Sequence, residues 1–261
     1  MFLDAWSTAG VVTLVFVTLV WLLSLAVGDS GIVDIFWGLG FMAIAWFFPP
    51  PDPGGLAPRA LLVAVLVTAW GIRLSAHILR RNWGRGEDYR YRAWREQAGS
   101  TWWWRSYVKV FLFQGGVMWL VAAPVVAVLS RSRQPALGWF DMLAVAVWAV
   151  GFGIETLGDM QQARFRANPE NTGRLMTGGV WRYTRHPDHF GDSTVWWGHY
   201  LVAAASGAWW SVFSPVLMTY LLRRVSGARV GERELRSTTP GYRAYIESTS
   251  AFFPRPPRRQ R

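Results

Sequence analysis

The chain has 261 residues, 18 Trp, no Cys and a formal net charge of +11, carried by 26 Arg and a single Lys. Without Cys there is no disulfide, no thiolate nucleophile and no Cys-based zinc or iron–sulfur site. The cations lie beside long apolar runs and in no recognisable nucleic-acid module, so they point to anionic lipid headgroups rather than to nucleic acid.

Apolar runs of the ~20 residues needed to cross a hydrocarbon core of roughly 30 Å occur near residues 9–27, 32–48, 59–79, 106–129 and 138–157. Two more, 189–205 and 208–225, are separated by Ser206 and Gly207, which predicts a tight helical hairpin or one broken helix. The expected fold is an all-α integral membrane protein of about seven transmembrane helices, a single membrane domain over 1–261. The first run lacks a basic leader and is too long for a signal-peptide core, so it reads as a retained helix. The Pro- and Gly-rich stretch from Pro49 to Pro58 reads as a connector, and Trp102, Trp103 and Trp104 read as anchors in the headgroup zone.

Arg is unevenly distributed: residues 80–106 hold seven, 159–190 five and 223–261 ten, whereas the alternate connections hold only Arg59, Arg131 and Arg133. Cations in short loops stay cytoplasmic, so the N-terminus is expected outside and the C-terminus inside. A bacterial inner membrane is the expected location.

Ionisable groups inside a bilayer are costly and mark sites. Asp34 lies near the start of the second run, with Trp37, Gly38 and Phe41 on its face; Trp70, Arg73 and His77 share a face of the third. Glu155, Asp159, Gln162 and Arg166 recur at i, i+4, i+7 and i+11. If their helix continues past the membrane surface, that face carries two acids, an amide and a guanidinium, suited to ribose hydroxyls and phosphates. Next comes TGGVWRYTRHPDHFGD, ending at Asp192, in which Gly178 and Gly179 allow a tight turn and Arg182 and Arg185 offer forked donors. His186 and His189 form a weak metal pattern with no third ligand at helical spacing, so no metal is expected. After the last run, Arg224, Glu232, Glu234, Tyr242 and Tyr245 belong either to a cover over that turn or to an amphipathic helix on the inner leaflet.

GxExxxD at Gly153 to Asp159, RHPDHFGD at Arg185 to Asp192 and ERELRSTTPGYRAYIESTSAFFP at Glu232 to Pro254 together resemble the steroid 5α-reductase superfamily, whose bacterial members of unassigned substrate look most alike. The same scaffold serves sterol reductases and isoprenylcysteine carboxyl methyltransferases. The resemblance implies a cytoplasmic-side NADPH pocket within residues 150–256 and hydride transfer to an activated carbon–carbon double bond in a hydrophobic substrate, a 3-oxo-5α-steroid 4-dehydrogenase-like activity. By it, Arg73, Glu155, Asp159, Arg166, Arg185, His186, Asp188, Asp192, Arg224, Glu232 and Tyr245 are the cofactor-binding residues. Two positions depart from the family pattern, Asp188 replacing Asn and His189 replacing an aromatic. The Glu and Tyr with which the steroid reductases polarise an enone correspond to Asp34 and Trp70. Trp is not a proton donor of the Tyr kind, so Asp34, kept neutral by burial, or His77 is the expected acid. The expected partners are a lipid-like substrate and membrane lipids, with no obligate protein partner. Two other readings stay open, an S-adenosylmethionine-dependent membrane methyltransferase and a non-catalytic lipid-binding protein.

Overall fold

The computed structural model describes residues 2–47, 57–131, 134, 136–224 and 241–257. Every regular element among them is helical, the one β-feature being an isolated parallel bridge between Thr184 and Ser250. The chain forms two compact units, residues 1–138 with 202–211 and residues 139–201 with 212–261.

In the first unit, α1 (Phe2–Val27) buries only a narrow stripe, Ala5, Ala9, Thr13, Val17, Val20 and Ser24, at spacings of three and four. Leu3, Val11, Leu14, Val15 and Leu19 are exposed. A 26-residue helix is about 39 Å long, and so much exposed apolar surface is the signature of a lipid-facing span. α3 (Pro58–Asn82) and the second unit's α8 (Trp139–Ala167) are also long and apolar enough to cross. A bent pair, Tyr89–Val121 (containing α4, Tyr89–Ala98; α5, Trp102–Ser106; and α6, Phe113–Val121) with α7 (Ala123–Leu129), adds a fourth if counted as one span. The protein is thus an integral membrane protein with three or four such helices among the described residues.

Other expected spans take different forms. α2 (Ile32–Trp46) has 15 residues, roughly 22 Å of helix. The run 106–129 is divided: a π-helical turn spans Tyr107–Leu112, and a bend of 54° falls at Ala122. Pro124 explains the bend, because its ring removes an N–H and clashes with the preceding turn. Every residue of Ala123–Leu129 is buried, so this piece is core rather than lipid-facing. The run 208–225 becomes a 3₁₀ turn, Trp209–Val212, followed by α10 (Phe213–Arg224) of 12 residues. The chain turns before it at Gly207, whose φ of +85° favours glycine.

Trp102 is not an interface anchor: it is buried with Val17, Val20, Ile32, Val33, Tyr91, Val110 and Phe111, and its Nε1 donates to Ser30 Oγ at 3.1 Å. Trp103 and Trp104 are exposed, as expected. Arg59, expected on an outer connection, is buried and donates to the Ala136 carbonyl at 3.2 Å.

Glycine seams set both helix crossings that matter. A Cβ on Gly38 would lie 2.5 Å from the Gly71 carbonyl oxygen, so α2 and α3 meet backbone to backbone. In the second unit α8 meets α9 (Pro187–Ala205) in the same way: a Cβ on Gly151 would lie 2.6 Å from the Val195 nitrogen, and one on Gly198 would lie 2.6 Å from Trp148 Cβ. α10 joins α9 through Thr219 Oγ1, 2.7 Å from Ser193 Oγ and 3.2 Å from Trp197 Nε1.

Candidate functional site

α8 does continue beyond a membrane thickness: its 29 residues span about 43 Å, and the face carrying Glu155, Asp159, Gln162 and Arg166 is one unbroken helix face. Glu155 and Asp159 are buried, Gln162 is half-buried and Arg166 is exposed. The seam with α9 explains what joins them. A Cβ on Gly191 would lie 2.6 Å from Glu155 Cβ, and one on Gly158 would lie 3.4 Å from the Asp188 nitrogen, so the two helices meet closely at both points. The α8 segment from Glu155 to Asp159 therefore packs along the α9 segment from Asp188 to Asp192, each with an acid at either end.

The turn before α9 is fastened on both sides. Gly179 has φ +57°, and the following Val180 N–H donates to Gln161 Oε1 of α8 at 2.9 Å. Trp181 Nε1 donates to the Gly158 carbonyl at 3.0 Å, while the Trp181 carbonyl accepts from the Tyr245 hydroxyl. Arg185, also buried, aims Nη1 at the carbonyls of Thr249 (2.8 Å) and Ile246 (3.2 Å), at the C-terminal end of the helix Tyr242–Ser248. Its backbone N–H donates to the Ser250 carbonyl at 2.9 Å, and Thr184 Oγ1 to that of Phe252 at 2.9 Å. Arg185 and Tyr245 therefore hold the C-terminal segment against the turn.

At the head of α9, the imidazoles of His186 and His189 stack with centroids 5.3 Å apart and planes 10° from parallel, and His189 Nε2 lies 3.8 Å from Asp188 Oδ2. One ligand atom from each of His186, Asp188 and His189 falls within 4.8 Å of the others, and all three side chains are half-buried. The i, i+2 spacing is uninformative in mid-helix, but at a helix start the first residue is not yet helical and can turn toward the third.

In the first unit Asp34 accepts three donors: the Tyr91 hydroxyl at 3.0 Å and Gln114 Nε2 at 3.5 Å on Oδ1, and Arg90 Nη2 at 3.4 Å on Oδ2. Gln114 Nε2 also reaches the Tyr91 hydroxyl at 3.2 Å. Neither Tyr91 nor Gln114 stood out in the sequence; the available signal was a lone amide within the apolar run 106–129. Arg90 is held in turn by Asp88 at 3.0 Å. Arg73 and His77 lie on α3, both half-buried. A cleft of about 260 Å³ in the same unit is bounded by Asp29, Ile35, Leu79, Trp83 and Asp88, and none of Asp34, Arg73 or His77 lines it.

Beside this network, Glu87 takes Arg95 Nη2 at 2.8 Å and the Ser30 N–H at 2.8 Å. Burial alone would raise its pKa, but the Arg95 hydrogen bonds, the Ser30 N–H and the guanidinium charge together hold it below the ordinary value. A carboxylate depressed in the folded state stabilises fully above its unfolded pKa of about 4.3, and that stability is lost as pH falls through the folded value. Thermal unfolding of wild type between pH 6 and 3, roughly the window set by that pKa, is expected to fall more steeply than that of Glu87→Gln. Parallel curves would remove Glu87 from the acid response.

Arg224 is exposed at the end of α10, and Glu232 lies outside the described residues. Sequence reasoning singled out most of the second unit's polar groups and Trp181 among them, but not that the Trp181 indole and carbonyl both fasten the turn.

A family model described as "Protein of unknown function (DUF1295)" matches residues 20–249. An uncharacterised protein of Schizosaccharomyces pombe is 26% identical over 247 residues, covering 85% of this chain and 67% of that protein. A Delta(14)-sterol reductase of Neurospora crassa is 36% identical over 108 residues, covering 36% of this chain and 22% of the reductase, so the match spans about a fifth of that protein's length. No solved structure matches the chain.

Proposed function

We propose, for a chain that belongs to the DUF1295 family of proteins of unknown function, that it is a membrane-embedded NADPH-dependent reductase of an activated carbon–carbon double bond in a hydrophobic, steroid-like or prenyl substrate. The carrying observation is the close packing of α8 on α9, which brings the segment from Glu155 to Asp159 against the segment from Asp188 to Asp192, with Gln162 and Arg166 continuing the same α8 face. The likeness to a sterol reductase over 108 residues supports the same reaction class.

The donor set fits a dinucleotide. Carboxylates accept from ribose hydroxyls, and the exposed forks of Arg166 and Arg182 match phosphate. When bound, NADPH would supply the hydride. Asp159 and Arg166 would hold the nucleotide, with Asp192, His186 and Asp188 along the turn and Arg224 and Glu232 completing the set. Arg185 and Tyr245, tied to backbone carbonyls, would position the turn rather than grip phosphate. For the proton that completes the reduction the chain offers Asp34, with Tyr91 bonded to it, and His77; Arg73 keeps the role the superfamily resemblance implies. These assignments rest on residue type. Seven crossings, a cytoplasmic cofactor side and a bacterial inner membrane belong to the same proposal.

The test is thermal stability of the detergent-purified chain with NADPH, NADP, NADH or S-adenosylmethionine. A ligand at about a hundred times its Kd stabilises by about 2.7 kcal/mol, a readily measured shift. Selective stabilisation by NADPH that Asp159→Ala and Arg166→Ala abolish is expected. A response to S-adenosylmethionine alone would sink the reductase reading in favour of a methyltransferase, and no response to any would leave a non-catalytic lipid binder.

A further inference from the structure

We propose that His186, Asp188 and His189 bind a divalent transition-metal ion at the head of α9. Three groups of ligand type already converge there, with one atom of each within 4.8 Å of the others. Two bonds of about 2.1 Å to one ion separate their ligand atoms by at most about 4.2 Å, so a small side-chain rotation closes the set. Two imidazoles and one carboxylate select zinc, cobalt or nickel over magnesium or calcium, which take oxygen ligands.

A second observation points the same way. Asp188 Oδ1 is buried with no hydrogen-bond partner among the described residues, and a buried carboxylate oxygen left so is costly unless a cation or donor meets it. A metal ion meets that need. Three protein ligands leave a further position for water or another oxygen donor. Half-burial of the three side chains keeps that position within reach of solvent.

The experiment uses the full, tag-free chain in detergent, stripped with a chelator and titrated with zinc alone by equilibrium dialysis and elemental analysis. Uptake of one zinc per chain is expected, weakened about tenfold or more by Asp188→Asn and by His189→Phe and unchanged in His77→Ala. Failure of wild type to retain zinc, or equal retention by the Asp188 and His189 variants, would overturn the proposal. Both variants are close in shape to the native residue, and helical circular dichroism verifies their fold. No nucleotide enters this titration, so its failure leaves the reductase reading standing, and a failed NADPH assay leaves the metal result standing.

Discussion

Gly151→Ala is expected to destabilise the protein by more than about 2 kcal/mol, whereas Gly153→Ala, two residues along the same helix, should be neutral or stabilise it by up to about 1 kcal/mol. In most helices the first substitution would be favourable, because Ala is the better helix former. At Gly151 the new Cβ would lie 2.6 Å from the Val195 nitrogen and 2.7 Å from the Gly191 carbonyl oxygen. Both are backbone atoms of α9, so no rotamer change relieves the contact and the helices must separate. At Gly153 nothing lies within 4 Å of the added methyl. Separation of α8 from α9 would also part Glu155 from Gly191, so under the proposed function any stabilisation by nucleotide should be lost together with stability. The check is thermal unfolding in detergent of the two variants side by side. Equal effects would mean that the seam does not hold the unit together.

The second large effect is expected at Arg185. Arg185→Ala leaves the carbonyls of Ile246 and Thr249 without their guanidinium. Hydrogen bonds from a charged group contribute about 1.5–3 kcal/mol, and buried acceptors left unmet add a desolvation penalty. Release of the segment around Tyr242–Ser248 from the turn should follow, read as faster tryptic cleavage after Arg243 than in wild type. Tyr245→Phe removes one hydrogen bond to the Trp181 carbonyl and should give a smaller change, about 1 kcal/mol. Arg185→Lys should rescue only in part, since a single ammonium does not reproduce a planar fork. Unchanged cleavage in Arg185→Ala would mean that the arginine's work lies elsewhere, with phosphate as the first alternative.

The helical, membrane-embedded character of the chain was legible because hydrocarbon demands length and apolarity, and both are visible in a linear string. So was the polar face from Glu155 to Arg166, because helical periodicity maps sequence spacing onto one side of a cylinder. Less legible was the run 106–129: its hydropathy is continuous, yet a π turn and Pro124 divide it. Trp102 misled for a related reason. An amphipathic ring reads alike whether it faces headgroups or a core, and only packing against Tyr91 and Phe111 distinguishes the two.

By itself, then, the sequence determined the class of protein, most helix positions and the chemistry concentrated between Glu155 and Asp192. Tertiary structure decided which of those groups meet. Asp34 gains Tyr91 and Gln114 from 57 and 80 residues away, Arg185 turns to the carbonyls of a distant helix, and Asp188 joins two histidines at a helix start. The first two are contacts between elements far apart in the chain, and the third depends on where a helix begins. Spacing along a chain encodes neighbours on one element, whereas contact between elements is set by packing.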